Sequence, residues 1–364
     1  MTSQHDNSRR VRVLVADDSA FMRTALTRMI ESDPSLQVTA TAQTGVEALE
    51  KIAALQPDVV TLDVEMPGLN GLETLKRIMK EFPRPVLMVS SLTQEGAETT
   101  IEALGIGAFD YVPKQQSFVS LDIIKIRDDL VAKIKAAAES RSKRPVPKVA
   151  AAPPVQKAHS TTKIHAPASV VAVGTSTGGP KALQEILPLL PADLPVGVLV
   201  VQHMPKGFTG PFARRLDTLC KVTVREAVHD ELIEPGVVYI APAGQHMTVA
   251  RKTSSKVAIR LSCSPEGTLH RPSVDVMMRS VAEVYRALCV GVIMTGMGAD
   301  GVQGMQAITD AGGITVGQDE ASCTVYGMPR SCAEAGVVQR VASLTQIPEQ
   351  ILEATNYSKR SSHP

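Results

Sequence analysis

Five times between residues 11 and 138 a short run rich in β-branched and apolar residues gives way to a stretch that reads as helical. Residues 11–16 read as a strand, and residues 21–30 as a helix, with Phe21/Met22, Ala25/Leu26 and Met29/Ile30 recurring on one face. Further strands fall at 37–42, 59–62, 86–89 and 109–112, with a helix at 45–55 and a long amphipathic one at 121–138. Short strands that each precede a helix return to the sheet by crossovers, so this third of the chain is expected to be a parallel, doubly wound α/β sheet.

The pattern dissolves near Lys135 into Arg141-Ser142-Lys143-Arg144-Pro145-Val146-Pro147-Lys148 and then Ala150-Ala151-Ala152-Pro153-Pro154. Such a tract buries too little apolar surface to fold and reads as a linker. Periodic structure resumes at Val170. Strands at 170–173, 197–201, 222–224, 290–294 and 314–316 alternate with helices near 181–190, 208–220, 273–288 and 302–311. Short strands at 237–241, 248–251 and 256–261 are expected to add antiparallel pairs. The expected division is a tail at 1–10, a first domain at 11–135, a linker at 136–168, a larger Rossmann-like second domain at 169–356 and a tail at 357–364.

At 364 residues there is chain enough for two cores, and 38 basic against 37 acidic residues argue for neither nucleic acid nor an acidic membrane surface. No helix-turn-helix signal or basic recognition helix marks the second half, no apolar run nears the ~20 residues that cross a bilayer, and the polar start Met1-Thr2-Ser3-Gln4-His5-Asp6 lacks the apolar core of a secretory signal. Five scattered cysteines without a C-x-x-C pair suit packed, reduced thiols. A cytoplasmic location without membrane insertion is the expectation.

Asp17 and Asp18 follow the first strand and Asp63 ends the third, which brings three carboxylates to one edge of the expected sheet. Carboxylates so gathered repel one another unless a cation joins them, and an oxygen-only donor set favours Mg²⁺. Ser90 follows the fourth strand and Lys114 the fifth. In this pattern Asp63 is a candidate phosphoryl acceptor, with Ser90 and Lys114 holding the phosphoryl oxygens.

In the second domain, Gly174-Thr175-Ser176-Thr177-Gly178-Gly179-Pro180 follows a strand and opens a helix, which lifts a hydroxyl to the sheet edge beside free N–H groups. His203, two residues past the next strand, and Asp300, past the strand 290–294, leave the same edge. A nucleophile, base and orienting acid meet this way; a turn serine, a satisfied histidine and a helix cap meet the pattern too. Thr177 N–H, at the start of the Pro180 helix, is a candidate oxyanion donor. His229, His246 and His270 lie in less regular sequence that fixes no position for them. Gly296-Met297-Gly298-Ala299-Asp300-Gly301 also fits G-x-G-x-x-G, but Asp300 would set a carboxylate inside a loop meant for pyrophosphate.

Val13-Leu14-Val15-Ala16-Asp17-Asp18-Ser19, Leu62-Asp63-Val64-Glu65-Met66-Pro67-Gly68-Leu69-Asn70-Gly71 and Val89-Ser90-Ser91 resemble the two-component receiver domain over roughly residues 10–132. The resemblance implies phosphorylation of Asp63 by a sensor histidine kinase, Mg²⁺ held by Asp17, Asp18, Asp63 and the Glu65 carbonyl, and a switch aromatic at Tyr111. The family often has proline after the lysine, whereas Gln115 follows Lys114 here. From about 169 to 355, the serine segment, Gln202-His203-Met204-Pro205, His270-Arg271-Pro272-Ser273-Val274-Asp275, Thr295-Gly296-Met297-Gly298-Ala299-Asp300-Gly301 and Val325-Tyr326-Gly327-Met328-Pro329 resemble the chemotaxis-receptor methylesterase family. That resemblance implies a cofactor-free Ser176, His203, Asp300 triad. It further implies hydrolysis of γ-glutamyl methyl esters and deamidation of glutamines on the cytoplasmic helices of chemoreceptors, under control of the receiver. The rival from another class is a response regulator whose second domain only binds a nucleotide or a protein.

Overall fold

The computed structural model describes residues 9–91, 93–114, 122–142 and 167–357. Most of both expected tails, most of the linker and Gln115 lie outside them. The chain divides into two compact units.

The first unit alternates β1 (Val11–Ala16), α1 (Ala20–Glu31), β2 (Leu36–Ala42), α2 (Gly45–Leu55), β3 (Val59–Asp63), α3 (Gly71–Glu81), β4 (Val86–Ser91), α4 (Gln94–Ile106), β5 (Asp110–Lys114) and α5 (Asp122–Ser142). Its five parallel strands lie in the order β2-β1-β3-β4-β5. Val13, Leu14, Val15 and Ala16 are all fully buried, as a strand covered on both faces requires. Side-chain caps set the helix starts: Ser19 accepts from Met22 N–H, Thr44 from Glu47 N–H, and Asn70 with Glu73 forms a capping box. The last helix runs to Ser142, past the end expected at 138. Its inner stripe Leu130, Ile134 and Ala137 packs on the core, and the helix-compatible residues Glu139 to Ser142 extend it without a stop signal.

From Val170 on the chain forms β6 (Val170–Thr175), α6 (Gly179–Ile186), β7 (Gly197–Gln202), α7 (Thr209–Asp217), β8 (Thr223–Glu226), β9 (Val237–Ile240), β10 (His246–Arg251), β11 (Val257–Ser262), α8 (Val274–Tyr285), β12 (Cys289–Ile293), α9 (Val302–Asp310), β13 (Ile314–Gln318), α10 (Met328–Glu334), β14 (Arg340–Ala342) and α11 (Ile347–Ala354), all in the second unit except most of α7. Seven strands form one parallel sheet in the order β14-β13-β12-β6-β7-β9-β8, and β10 with β11 makes a separate antiparallel hairpin. One expectation is corrected here. The strand at 237–240 pairs parallel with β7 and β8 rather than joining the antiparallel pairs. All four of its residues are buried, and such an unbroken apolar run suits a strand covered on both faces. Cys289 and Cys332 are buried in this unit, and burial pushes both thiols up to about 12.

Candidate functional site

In each sheet the chain leaves a central strand to one side and later returns to the other, so a crevice opens at the strand ends where the order reverses. In the first unit the reversal lies between β1 and β3. Asp17 follows β1 directly and Asp63 is the last residue of β3; both are buried, while Asp18 is exposed. One carboxylate oxygen from each of the three lies within 4.8 Å of the others. Lys114 ends β5 and brings Nζ to 2.9 Å from Asp17 Oδ2 and 2.6 Å from Asp63 Oδ2. Apart from that ion pair, both buried Oδ2 atoms lack a hydrogen-bond partner among the described residues. Burial, reinforced by the Asp17 charge and opposed by Lys114, raises the Asp63 carboxyl to about 6. Buried, under-satisfied carboxylate oxygens in an all-oxygen set fit a hard divalent cation.

The remaining expected residues of this edge are placed less uniformly. Glu65 N–H donates to Asp63 Oδ1 at 3.2 Å, which holds the backbone of Glu65 over the cluster. The Ser90 hydroxyl lies 3.1 Å from the Gly96 carbonyl and 3.2 Å from that of Ser91, its hydrogen-bond acceptors here. Tyr111 is buried in β5 with its hydroxyl unpartnered among the described residues, and burial raises its phenol well above the ordinary range.

In the second unit the reversal falls at β6, flanked by β12 and β7. Ser176 leaves the end of β6 and His203 the end of β7, where Thr175 and Gln202 are register partners. The Ser176 turn is held by three hydrogen bonds. Ser176 N–H donates to Thr295 O at 3.0 Å, Gln202 Nε2 donates to Ser176 O at 2.9 Å, and His203 N–H donates to Thr175 O at 3.1 Å. Gly178 caps α6 at φ 76°, a left-handed conformation that glycine adopts without strain. Ser176 itself stays partly exposed.

Asp300 Oδ2 lies 2.8 Å from His203 Nε2. That leaves the other ring nitrogen, Nδ1, buried and without a hydrogen-bond partner among the described residues. In the serine-protease template the carboxylate takes Nδ1 and the serine takes Nε2; here the ring is turned the other way. Asp300 is held by the N-terminus of α8, the group that the sequence did not reveal. Val274 N–H donates to Oδ2 at 2.8 Å, Asp275 N–H to Oδ1 at 3.0 Å, and the Ser273 hydroxyl to Oδ1 at 2.9 Å. Burial alone would raise this carboxyl, but the His203 hydrogen bond and charge and the two N–H groups outweigh it and hold it well below the usual range. Asp275 returns the service, accepting from Gly301 and Gly304 N–H at 3.0 and 2.7 Å at the start of α9. His270, also unplaced by sequence, stacks on His203 with ring centroids 4.0 Å apart.

Gly296 shows how closely Ser176 is packed. A Cβ there would lie 2.8 Å from Ser176 Cβ and would also strike Met328 Sδ. Gly296→Ala should therefore displace Ser176 and lower kcat at least tenfold, with a drop in Tm of several degrees by thermal unfolding, since overpacking costs about 1–3 kcal/mol.

The family model described as response regulator receiver domain matches residues 13–123, and that described as CheB methylesterase matches residues 171–351. The class is thus a response regulator whose second domain is a hydrolase. A protein-glutamate methylesterase/protein-glutamine glutaminase from Symbiobacterium thermophilum is 48% identical over 356 residues, covering 95% of this chain and 97% of its own. One from Oleidesulfovibrio alaskensis is 45% identical over 366 residues, covering 94% of this chain and 99% of its own. The crystal structure of the Thermotoga maritima CheB methylesterase catalytic domain is 40% identical and covers 52% of this chain and 99% of that one, with a TM-score of 0.50. The chain belongs to the protein-glutamate methylesterase/protein-glutamine glutaminase family.

Proposed function

We propose that this chain hydrolyses γ-glutamyl methyl esters on chemoreceptor cytoplasmic segments, releases methanol, and deamidates receptor glutamines to glutamate, and that phosphorylation of Asp63 raises this activity in chemotaxis adaptation. The observation that carries the reading is the His203 ring, anchored to Asp300 through Nε2, with Nδ1 left free at the sheet edge from which Ser176 emerges. Nδ1 takes the Ser176 proton as Oγ attacks the γ-carbonyl, then delivers it to the departing methoxide. Water, deprotonated by the same nitrogen, releases glutamate from the acyl-enzyme. For a glutamine the leaving group is ammonia. Asp300 stays ionised and stabilises the imidazolium formed in each step. Thr177 N–H is the proposed oxyanion donor; in α6 the Gly179 N–H is already bonded to the Ser176 carbonyl at 2.8 Å and Pro180 has no N–H.

On the receiver, Asp63 accepts the phosphoryl group from a sensor histidine kinase, while Lys114 and, after its hydroxyl turns from the Gly96 carbonyl, Ser90 hold the phosphoryl oxygens. Tyr111 is the switch aromatic. Asp17, Asp18, Asp63 and the Glu65 carbonyl would hold a Mg²⁺ ion, which when bound offsets the negative charge of the site. The domain limits 11–135 and 169–356 with a linker at 136–168 and tails at 1–10 and 357–364, and a cytoplasmic location with no nucleic-acid partner, accompany this reading. Among the described residues no helix is long and apolar enough to cross a membrane.

Two results test the receiver. The Asp63 carboxyl, ordinarily near 3.8, is raised to about 6 in the fold. The native state therefore binds the extra proton between those values, and stability falls as pH rises from about 4 to about 6. Mg²⁺ binds the ionised form, so it should raise Tm at pH 7 and do so much less at pH 5; Asp17→Asn should lose most of the shift. A small phosphodonor such as acetyl phosphate should raise methanol release from methylated receptor membranes several-fold for the natural chain and leave Asp63→Asn at its basal rate. Equal stimulation of both would contradict Asp63 as the acceptor.

A further inference from the structure

His246 opens β10 and is fully buried, yet the proposed chemistry leaves it unused. Its Nδ1 accepts from Ser273 N–H at 3.3 Å. A backbone N–H can only donate, so Nδ1 carries no proton and the ring is the neutral Nε2–H form, with Nε2 3.2 Å from both the Pro265 carbonyl and Thr268 Oγ1. Ser273 is the N-cap of α8: its hydroxyl accepts from Val276 N–H at 3.4 Å and donates to Asp300 Oδ1 at 2.9 Å. The N–H groups of Val274 and Asp275 also go to Asp300. The remaining donor of this turn, Ser273 N–H, precedes the helix and has no helical acceptor; His246 supplies one.

We propose that His246 is a positioning residue of the esterase: as a neutral acceptor it fixes the first turn of α8, the turn that cradles Asp300 and through Asp300 orients His203. The inference rests on the Ser176–His203–Asp300 reading. A proton on Nδ1 would turn the acceptor into a donor facing Ser273 N–H and break the chain of contacts at its first link. Burial, opposed by the Pro265 carbonyl and by the Asp300 charge and aided by the Arg271 charge, keeps the ring's pKa below the ordinary value and so favours the neutral form. Pro265, Thr268 and Ser273, its hydrogen-bonding neighbours, carry no charge.

The test uses the full chain and a methylated glutamyl peptide, comparing His246→Phe, His246→Asn and Ser176→Ala. Phenylalanine fills the site without an acceptor, whereas the asparagine Oδ1 can stand where Nδ1 stood. The expected result is a kcat about 10- to 100-fold lower for His246→Phe at unchanged KM, because a buried N–H is orphaned. His246→Asn should retain kcat within a few-fold. At the acid extreme, kcat of the natural chain should fall with two protons and that of His246→Asn with one, a readout that stands even where the phenylalanine variant fails to fold. Equal loss in both His246 variants, a loss confined to KM, or an unchanged proton count in His246→Asn would overturn the proposal. If Ser176→Ala still turned over, the triad reading itself would fail; an inactive Ser176→Ala beside unaffected His246 variants would sink this inference alone.

Discussion

Ser176→Ala should lower the rate of ester hydrolysis at saturating substrate by about 10⁶-fold, the scale seen when a serine nucleophile is removed from a working triad. The fold should tolerate the change. Ser176 is partly exposed, and the bonds that seat its turn run through its backbone N–H and carbonyl to Thr295 and Gln202. Tm should move by less than a few degrees, and affinity for the receptor segment should persist. A pure binding module would show the opposite pattern, with nothing to lose. Steady-state methanol release and thermal unfolding on the same preparations separate the two.

Asp300→Asn should cost about 10⁴-fold in kcat, as loss of the orienting carboxylate does in other triads, and here it should also cost stability. All four contacts of Asp300 come from donors: His203, Val274, Asp275 and Ser273. Whichever way an amide is turned, its NH₂ meets the backbone N–H of Val274 or of Asp275. That leaves a donor unsatisfied in a partly buried site, at about 1–3 kcal/mol. The pH dependence has a fixed sign. Because the folded carboxyl sits below its ordinary value near 3.8, the stabilisation is complete above about pH 5 and is lost as pH falls below about 4. The natural chain should lose stability in that acid range faster than Asp300→Asn, which chemical denaturation at a series of pH values can follow.

Much of this architecture was legible in the sequence because strand ends are local signals. Asp17, Asp63 and Ser176 stand next to apolar runs, and a parallel sheet delivers its strand ends to one edge. The order of strands followed less well: 237–240 reads as one of several short strands, and only its parallel pairing with both neighbours places it between β7 and β8. Short elements escaped too. α10 begins Met328-Pro329, a proline in the first helical turn that was available as a signal. The support of Asp300 was not legible. It comes from residues 273–275, about 25 positions earlier, and the sequence suggested a cap on the helix that follows Asp300 rather than on one before it. Which imidazole nitrogen faces the carboxylate, and the stacking of His270 on His203, depend on side-chain packing that spacing does not encode.

The central claim is that Ser176 becomes acylated. A methylated glutamyl peptide mixed with the enzyme and quenched in acid within one turnover should leave an adduct on the segment that contains Ser176. Its mass should equal that of the peptide less one methanol, and it should be absent from Ser176→Ala. Turnover of the peptide by Ser176→Ala at the rate of the natural chain, or an adduct on any other residue, would contradict the account.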